Sequence, residues 1–197
     1  LSQKKSRWLG AAFAWGYELS FELLDGKSSE WGFSWSDLAA NTLGAGLYLG
    51  QDIAFDAQFI KFKFSYSNSG FAKYRPNVLG NTFQEKLLKD YNGQTYWFTF
   101  SPFFFTKSSS FPKWINIALG YSAHEKLIGD QDIYTTPDGL TTFRAKREFI
   151  LSLDIDVKSI PIRKKWLKVA LSPFNSIKIP FPSLIWRDNL CYGKLLY

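Results

Sequence analysis

The alternation of apolar and polar residues after position 54 limits the possible folds of this chain more than any other feature of its sequence. In 58–67 the apolar members are Ile60, Phe62, Phe64 and Tyr66, and the polar members are Lys61, Lys63, Ser65 and Ser67. The same two-residue period recurs in 95–104, 114–122 and 143–158. Successive side chains of a β-strand point to opposite faces, so each segment is a strand with one apolar and one polar face. Such strands are typical of antiparallel sheets.

Residues before position 55 follow the period of an α-helix instead. A first helix is predicted over 7–25, and Gly26 follows it as a glycine commonly follows a last helical turn. Ser34 and Asp37 have the spacing of an N-terminal capping pair, so a second helix is predicted to begin there. This helix continues to about Gln51, and small residues at close spacing along it favour a tight hairpin.

These two periods predict an α+β fold with two domains. We expect an N-terminal helical hairpin with an acidic polar face in 1–54. An antiparallel β-barrel or barrel-like sheet is expected in 55–197, with a short basic amphipathic helix near 163–174.

The apolar strand faces can be interpreted in two ways, as surfaces that pack on a protein core or as surfaces that contact lipid. A soluble sheet would pack these faces on its own core, whereas a small outer-membrane barrel would turn them to lipid and enclose a polar lumen. Aromatic residues make up 19% of the chain and the last residue is Tyr197, which favours the barrel because aromatic girdles lie at lipid–water boundaries. The period alone leaves both interpretations open. The side chains predicted to face a membrane are Ile60, Phe62, Phe64, Tyr66, Phe98, Phe100, Leu151, Leu153 and Trp166.

The basic helix near Trp166 also has more than one interpretation. Its four cations are a solvated face, or they contact anionic lipid headgroups while Trp166 inserts: Arg163, Lys164, Lys165 and Lys168. The chain carries a formal charge of +7, which raises nucleic acid as a third partner. Because the aromatic residues follow the apolar strand faces and do not interleave with Lys and Arg, we expect no nucleic-acid partner.

Acidic residues cluster on the predicted hairpin. Glu18, Glu22 and Asp25 share one helix face, and Asp37 and Asn41 share a face of the second helix. Carboxylates among apolar residues need a partner, a proton or a cation. Interhelical hydrogen bonding is the favoured interpretation. An oxygen-rich site for a divalent cation, made by Glu22, Asp25, Asp37 and Asn41, and a general base of raised pKa are the alternatives.

The remaining candidate chemistry is sparse. The chain has one Cys (Cys191) and one His (His124), so it forms no internal disulfide and no zinc site made of His and Cys alone. Ser122 and Glu125 near His124 invite a hydrolase interpretation, but no nucleophile-elbow motif supports it. We assign no catalytic residue. Every stretch long enough to cross a bilayer as a helix contains charged residues, so no transmembrane helix is predicted.

Several sequence segments together are similar to one family. The run from Glu22 to Gly26 and the run Trp31-Gly-Phe-Ser-Trp-Ser-Asp37-Leu-Ala-Ala-Asn41-Thr-Leu-Gly44 resemble the YfiM-like family of predicted periplasmic lipoproteins of Gram-negative bacteria. The hairpin also resembles the VanZ-like pattern, Glu…Asp-x-x-x-Asn-x-x-Gly. Further segments that resemble longer members of the first family are 74–80, 89–97, 112–116, 151–156 and 177–180. The resemblance implies a location in the cell envelope and no established activity. Since the chain contains no Met, we also expect residue 1 to lie within a longer precursor.

We therefore expect an outer-membrane-associated protein on the periplasmic side. The favoured function is a non-catalytic structural or accessory subunit of an envelope complex, with outer-membrane lipid and other envelope proteins as partners. Two alternatives remain. One is a lipid or head-group hydrolase that uses the carboxylates of the hairpin with a divalent cation, and the other is a soluble periplasmic binding module.

Overall fold

The computed structural model of the chain describes residues 2–27, 32–106 and 112–197 and confirms the predicted α+β fold. The chain divides into two compact units, Leu1–Phe59 and Ile60–Tyr197. The first unit is helical, and the second contains all the strands of the described residues.

The helical unit consists of α1 (Gln3–Asp25) and α2 (Trp35–Phe55). The predicted capping of α2 is confirmed, because the Ser34 hydroxyl accepts a hydrogen bond from the Asp37 backbone N–H at 3.3 Å. Both helices are longer than predicted: α1 begins before Arg7 because Ser2 caps it, and α2 continues past Gln51 until Asp56 adopts a left-handed conformation (φ 55°). Among the described residues, neither helix has the combination of length and apolar character that crossing a membrane requires.

The second unit is built on antiparallel strands. In the described part of the chain, six of them form one sheet in the order β1-β2-β3-β6-β7-β8, and β4 and β5 form a separate hairpin. The strands are β1 (Ile60–Tyr66), β2 (Gln94–Phe100), β3 (Ile115–His124), β4 (Ile133–Thr135), β5 (Thr142–Arg144), β6 (Lys146–Ile155), β7 (Ser183–Arg187) and β8 (Leu190–Lys194). The sheet is open, since its edge strands β1 and β8 do not pair with each other.

The segment 177–182 lies between the two sheet edges. The backbone N–H of Lys178 donates to the Phe64 carbonyl of β1 at 2.9 Å, and Tyr197, beyond the end of β8, donates its N–H to the Phe181 carbonyl at 3.3 Å. Pro180 and Pro182 cannot donate in a ladder, which explains why this segment makes isolated bonds and why β7 begins only at Ser183. The segment therefore covers part of one sheet face without closing the ladder.

Short helices occupy the connections. They are α3 (Pro76–Leu79), α4 (Phe83–Lys89) and α5 (Lys165–Leu171), with 3₁₀ turns at Ala72–Tyr74, Val157–Ser159 and Ser172–Ser176. The α4 helix begins with a complete capping box between Thr82 and Glu85. A small apolar core near the β4–β5 hairpin contains Ala72, Leu79, Leu127 and Phe143.

A second apolar core lies within the sheet, where Trp97 of β2 packs on the backbone of β3. A Cβ atom added at Gly120 would lie 2.7 Å from the Trp97 ring, so only glycine fits beneath this indole. Trp97 is fully buried and donates its indole N–H to the Ser65 hydroxyl at 2.8 Å. The ring therefore has no free space into which it could shift.

We predict that Gly120→Ala destabilises the sheet by about 1–3 kcal/mol, because overpacking displaces the Trp97 ring. Chemical denaturation of the purified chain, followed by circular dichroism, would measure the change. The matched control is Gly193→Ala, where an added Cβ meets no atom within 4 Å. Equal effects of the two substitutions would contradict the packing argument.

Candidate membrane-facing surface

The outer face of the sheet is a continuous apolar surface, which we call the apolar belt. The register aligns outward-pointing side chains into rows that cross the strands. One row is Phe62, Phe98, Leu119, Leu151 and Leu184. On one side of this row lies a second row, made of Ile60, Phe100, Ile117 and Leu153. On the other side lies a third row, made of Phe64, Tyr96, Tyr121, Phe149 and Trp186. None of these three rows contains a charged residue.

Exposure is inverted relative to a sheet that packs an apolar face on its own core. In the belt, Phe62 is 53% exposed, Leu119 50% and Phe149 57%. The opposite face carries Lys63, Thr99 and other buried polar residues beside the buried apolar side chains of Trp97, Ala118, Ile150 and Ile185. An antiparallel sheet in water normally buries its apolar face and solvates the polar one. A contiguous exposed apolar surface of this kind marks contact with a membrane or another protein.

The aromatic members of the belt contact one another across the strands. The ring centroids of Phe62 and Phe98 are 4.0 Å apart, and those of Tyr121 and Phe149 are 5.6 Å apart. All five members of the row that begins at Phe64 are aromatic. Such a row at one border of an apolar band matches the aromatic girdles of membrane β-proteins, where rings lie at headgroup depth.

The height of the belt limits what it can do. The pair Ile115 and Ile155 adds a fourth row, so the belt covers six residue steps along the strands, or about 20 Å. The hydrocarbon core of a bilayer is about 30 Å thick. The belt is therefore about 10 Å shorter than the hydrocarbon core of an average bilayer.

An open groove indents the belt over β6, β7 and β8. Its volume is about 630 Å³, and its apolar lining includes Ile117, Leu151, Leu153, Leu184 and Leu195. The groove contributes additional exposed aliphatic surface to the belt.

The inner face of the sheet contains a buried ion pair. Lys63 Nζ of β1 lies 2.6 Å from Asp154 Oδ2 of β6, and neither side chain is exposed. Lys63 also donates to the Ile155 carbonyl at 2.8 Å, and Asp154 accepts from the Ile179 N–H at 3.2 Å. Buried charges are tolerated only with a partner and hydrogen bonds. The pair thus links β1, β6 and the segment 177–182 across the inside of the sheet.

A second buried cation lies next to this pair. Lys178 is only 2% exposed; its ammonium donates to the Ser152 hydroxyl at 2.8 Å and lies 4.6 Å from the centre of the Trp97 ring. Loss of water lowers the pKa of Lys178 to about 8, since the attraction of Asp154 only partly offsets burial and Lys63 repels it. Asn116, also fully buried, has no hydrogen-bond partner for its amide atoms among the described residues.

The other end of the inner face holds a cluster around Glu148. Arg187 donates to Glu148 at 2.6 Å, and the hydroxyls of Tyr192 and Tyr197 each lie 3.3 Å from its carboxylate. His124 Nδ1 is 3.9 Å from the same carboxylate, and burial together with the Arg187 charge lowers the pKa of His124. These contacts join β3, β6, β7 and the C-terminal residue in one polar network.

The residues predicted to face a membrane fall into two groups. Phe62, Phe98, Leu153 and Trp166 are well exposed. The half-buried ones are Ile60, Phe64, Tyr66, Phe100 and Leu151. Tyr66, in contact with Phe83 at the end of β1, differs from the rest because its hydroxyl is buried without a partner in the described part of the chain.

Sequence reasoning did not assign several members of the belt. They are Tyr96, Ile117, Leu119, Tyr121, Phe149, Leu184 and Trp186. The period of β3 and β6 contained the signal for most of them. Leu184 and Trp186 lie on β7, a strand of five residues whose period is too short to recognise alone.

The acidic residues of the hairpin have separate environments. Glu22 is buried and accepts a hydrogen bond from the Ser34 N–H at 3.2 Å, which ties α1 to the start of α2. Asp37 is exposed, while Asp25 and Asn41 are half-buried. In residues 2–27, 32–106 and 112–197 no three His, Cys, Asp or Glu side chains are placed to hold a metal ion. The divalent-cation site therefore stays a prediction.

We predict that Lys63→Met destabilises the β unit by about 3–5 kcal/mol, because Asp154 would remain buried and charged without its partner. Adding Asp154→Leu should recover most of the loss, as both charges are then absent. Chemical denaturation in one detergent would measure all variants. The control is Lys126→Met, which breaks an ion pair with the exposed Asp132 and should cost at most about 1 kcal/mol.

We also predict a pH dependence that arises from Lys178. Because its pKa in the folded chain is about 8 and its ordinary value is 10.5, the unfolded chain binds more protons between these values. Relative to Lys178→Met, the unfolding free energy of the wild-type chain should rise from pH 8 to pH 10 by roughly 2 kcal/mol. Urea denaturation at several pH values would measure it. The control is Lys89→Met, which removes an exposed lysine and should leave the pH dependence unchanged. Loss of the pH dependence in this control would contradict its assignment to Lys178.

Comparison with known proteins adds no relative to these observations. No protein-family model, no curated protein and no solved structure matches the chain. Function therefore has to be inferred from the belt and from the polar inner face.

Proposed function

We propose that this chain is a non-catalytic structural or accessory subunit of a cell-envelope complex, associated with the periplasmic side of the outer membrane. In this proposal the apolar belt lies against membrane lipid, and other envelope proteins bind elsewhere on the chain. The observation that carries it is the inversion of the sheet: apolar side chains outward and exposed, charged and polar side chains inward and buried.

The energetics favour a non-aqueous surrounding for the belt. Full burial of a Leu or Phe side chain is worth roughly 1.5–3 kcal/mol, so each half-exposed belt residue gains about 1 kcal/mol on transfer to lipid. Many such side chains lie side by side, which makes the total gain comparable with the stability of a whole domain, about 5–15 kcal/mol. A sheet face of this size left in water would promote aggregation.

Backbone hydrogen bonding supports contact with lipid as well. Open strand edges are not tolerated in hydrocarbon, because each unpaired N–H or carbonyl there costs several kcal/mol. At the β1 edge, the Phe64 carbonyl accepts a hydrogen bond from the Lys178 N–H. Beyond the end of β8, at the other edge, the Tyr197 N–H donates to the Phe181 carbonyl. The segment 177–182 thus reduces the exposed edge that immersion would penalise.

The envelope location rests on the resemblance to the YfiM-like family. That resemblance implies a periplasmic lipoprotein, and the belt gives such a protein a surface that suits the membrane. A hydrolase role is less favoured because the described residues provide neither a metal-binding group of carboxylates nor a nucleophile–base pair. No nucleic-acid partner is expected.

We predict that Leu119→Lys, at the centre of the belt, weakens association with phosphatidylcholine vesicles by about 2–4 kcal/mol, because a charge in the hydrocarbon is costly. Flotation of vesicles with the purified full chain would measure the bound fraction. The matched control is Leu140→Lys in the turn between β4 and β5, where Leu140 is 84% exposed. This change should not alter flotation.

Two outcomes would contradict the proposal. The first is a wild-type chain that is monomeric without detergent and does not float with vesicles. The second is that Leu119→Lys floats as well as the wild type. Loss of flotation together with a stoichiometric complex through the belt would indicate that a protein, and not lipid, covers this surface.

A further inference from the structure

The two ends of the sheet differ in charge. The connection 156–182, which joins β6 to β7 at one end, contains six Lys or Arg residues and one acidic residue, Asp156, which is paired with Lys61. At the opposite end, the connections 67–93 and 125–145 together contain six basic and six acidic residues. A field of one sign therefore extends from one end of the β unit only.

Five of these six cations are exposed and form what we call the basic surface: Lys158, Arg163, Lys164, Lys165 and Lys168. Within the described ranges, none of the five forms an ion pair with a carboxylate. The sixth cation, Lys178, is buried in the inner face and does not contribute to this surface. The charge of the basic surface is thus available to an external anion.

The α5 helix presents apolar side chains in two directions. Leu167 and Leu171 are one helical turn apart and half-buried against the protein. Trp166 and Val169 point away from them and are 66% and 64% exposed, beside Lys165 and Lys168. A tryptophan and a valine in water, bordered by lysines, are the features of a helix surface that lies at a membrane boundary.

The base beneath α5 is held by buried polar contacts. Asn175 accepts a hydrogen bond from the Val157 N–H at 2.9 Å and so links the 3₁₀ turns on either side of the helix. Asp156 pairs with Lys61 of β1 at 2.6 Å. These contacts fix the basic surface relative to the sheet, and therefore relative to the belt.

We propose that the basic surface docks on the headgroups of anionic phospholipids, with Trp166 and Val169 at the boundary of the hydrocarbon. This inference rests on the proposed function, because it assumes that the belt is immersed in the same leaflet. It adds a lipid class and an orientation. The end that carries α5 lies at an anionic headgroup layer, and the mixed-charge end does not.

The test compares vesicles of phosphatidylcholine alone with vesicles that also contain phosphatidylglycerol. The wild-type chain should bind the anionic vesicles more tightly, and added salt should reduce the difference. The triple variant Lys164→Gln, Lys165→Gln and Lys168→Gln should bind anionic vesicles on the order of 100-fold more weakly and neutral vesicles unchanged. The matched control removes three exposed cations at the opposite end, Lys73→Gln, Lys89→Gln and Arg144→Gln, and should keep the preference.

A second measurement reports the contact itself. In a Cys191→Ser background, Val169→Cys carries an environment-sensitive dye, and its emission should shift to shorter wavelength with anionic vesicles. A dye at Lys89→Cys should not respond. Equal binding of the wild-type chain to both vesicle types would overturn the inference, and so would an equal loss of binding in the two triple variants. In either case, flotation with neutral vesicles would still support the proposed function. Absence of flotation with neutral vesicles would count against the proposed function itself.

Discussion

The compensation of the buried Lys63 charge by Asp154 is the constraint on which burial of the polar side chains in the β unit depends. A sheet can expose its apolar face only if its other face is stable when buried, and here that face is polar. Lys63, Asp154 and the backbone of Ile155 and Ile179 satisfy one another, so the charges are compensated without water. Without this compensation, each charge would be buried without a partner, at a cost of about 3–5 kcal/mol.

The helical unit, taken by itself, shows the same distribution of polarity. Arg7 of α1 pairs with Asp52 of α2 at 2.6 Å, and Glu22 is buried against the start of α2. Aromatic side chains such as Phe13, 76% exposed, point outward instead. Both units therefore contain buried ionic and hydrogen-bonded contacts, which in the β unit lie beside apolar cores, and both leave many large apolar side chains exposed.

The sequence predicted the type of each unit and part of the candidate surface, for a physical reason. A period of two specifies strands and assigns Phe62 and Phe98 to one face, but it does not say which face is buried. That choice depends on long-range partners: Lys63 meets Asp154 about ninety residues later, and no local pattern contains this pairing. The strands β7 and β8 were not predicted because each has only five residues. The acidic residues of the hairpin share faces as expected, yet Glu22 binds a backbone N–H, and helical spacing alone does not distinguish this role from a metal ligand.

Immersion depth and charge together determine how such a unit sits at a bilayer. The belt is about 20 Å high, shorter than the hydrocarbon core of about 30 Å, so both of its borders cannot lie at opposite headgroup layers. One border must face a headgroup layer and the other must stay inside or leave the membrane. The aromatic row ending at Trp186 suits either border, because ring side chains tolerate both environments. The cations around α5 suit only the headgroup border, since unpaired charges are costly in hydrocarbon. In the proposed contact with lipid, the placement of five exposed cations at one end of the belt therefore favours one orientation over its reverse.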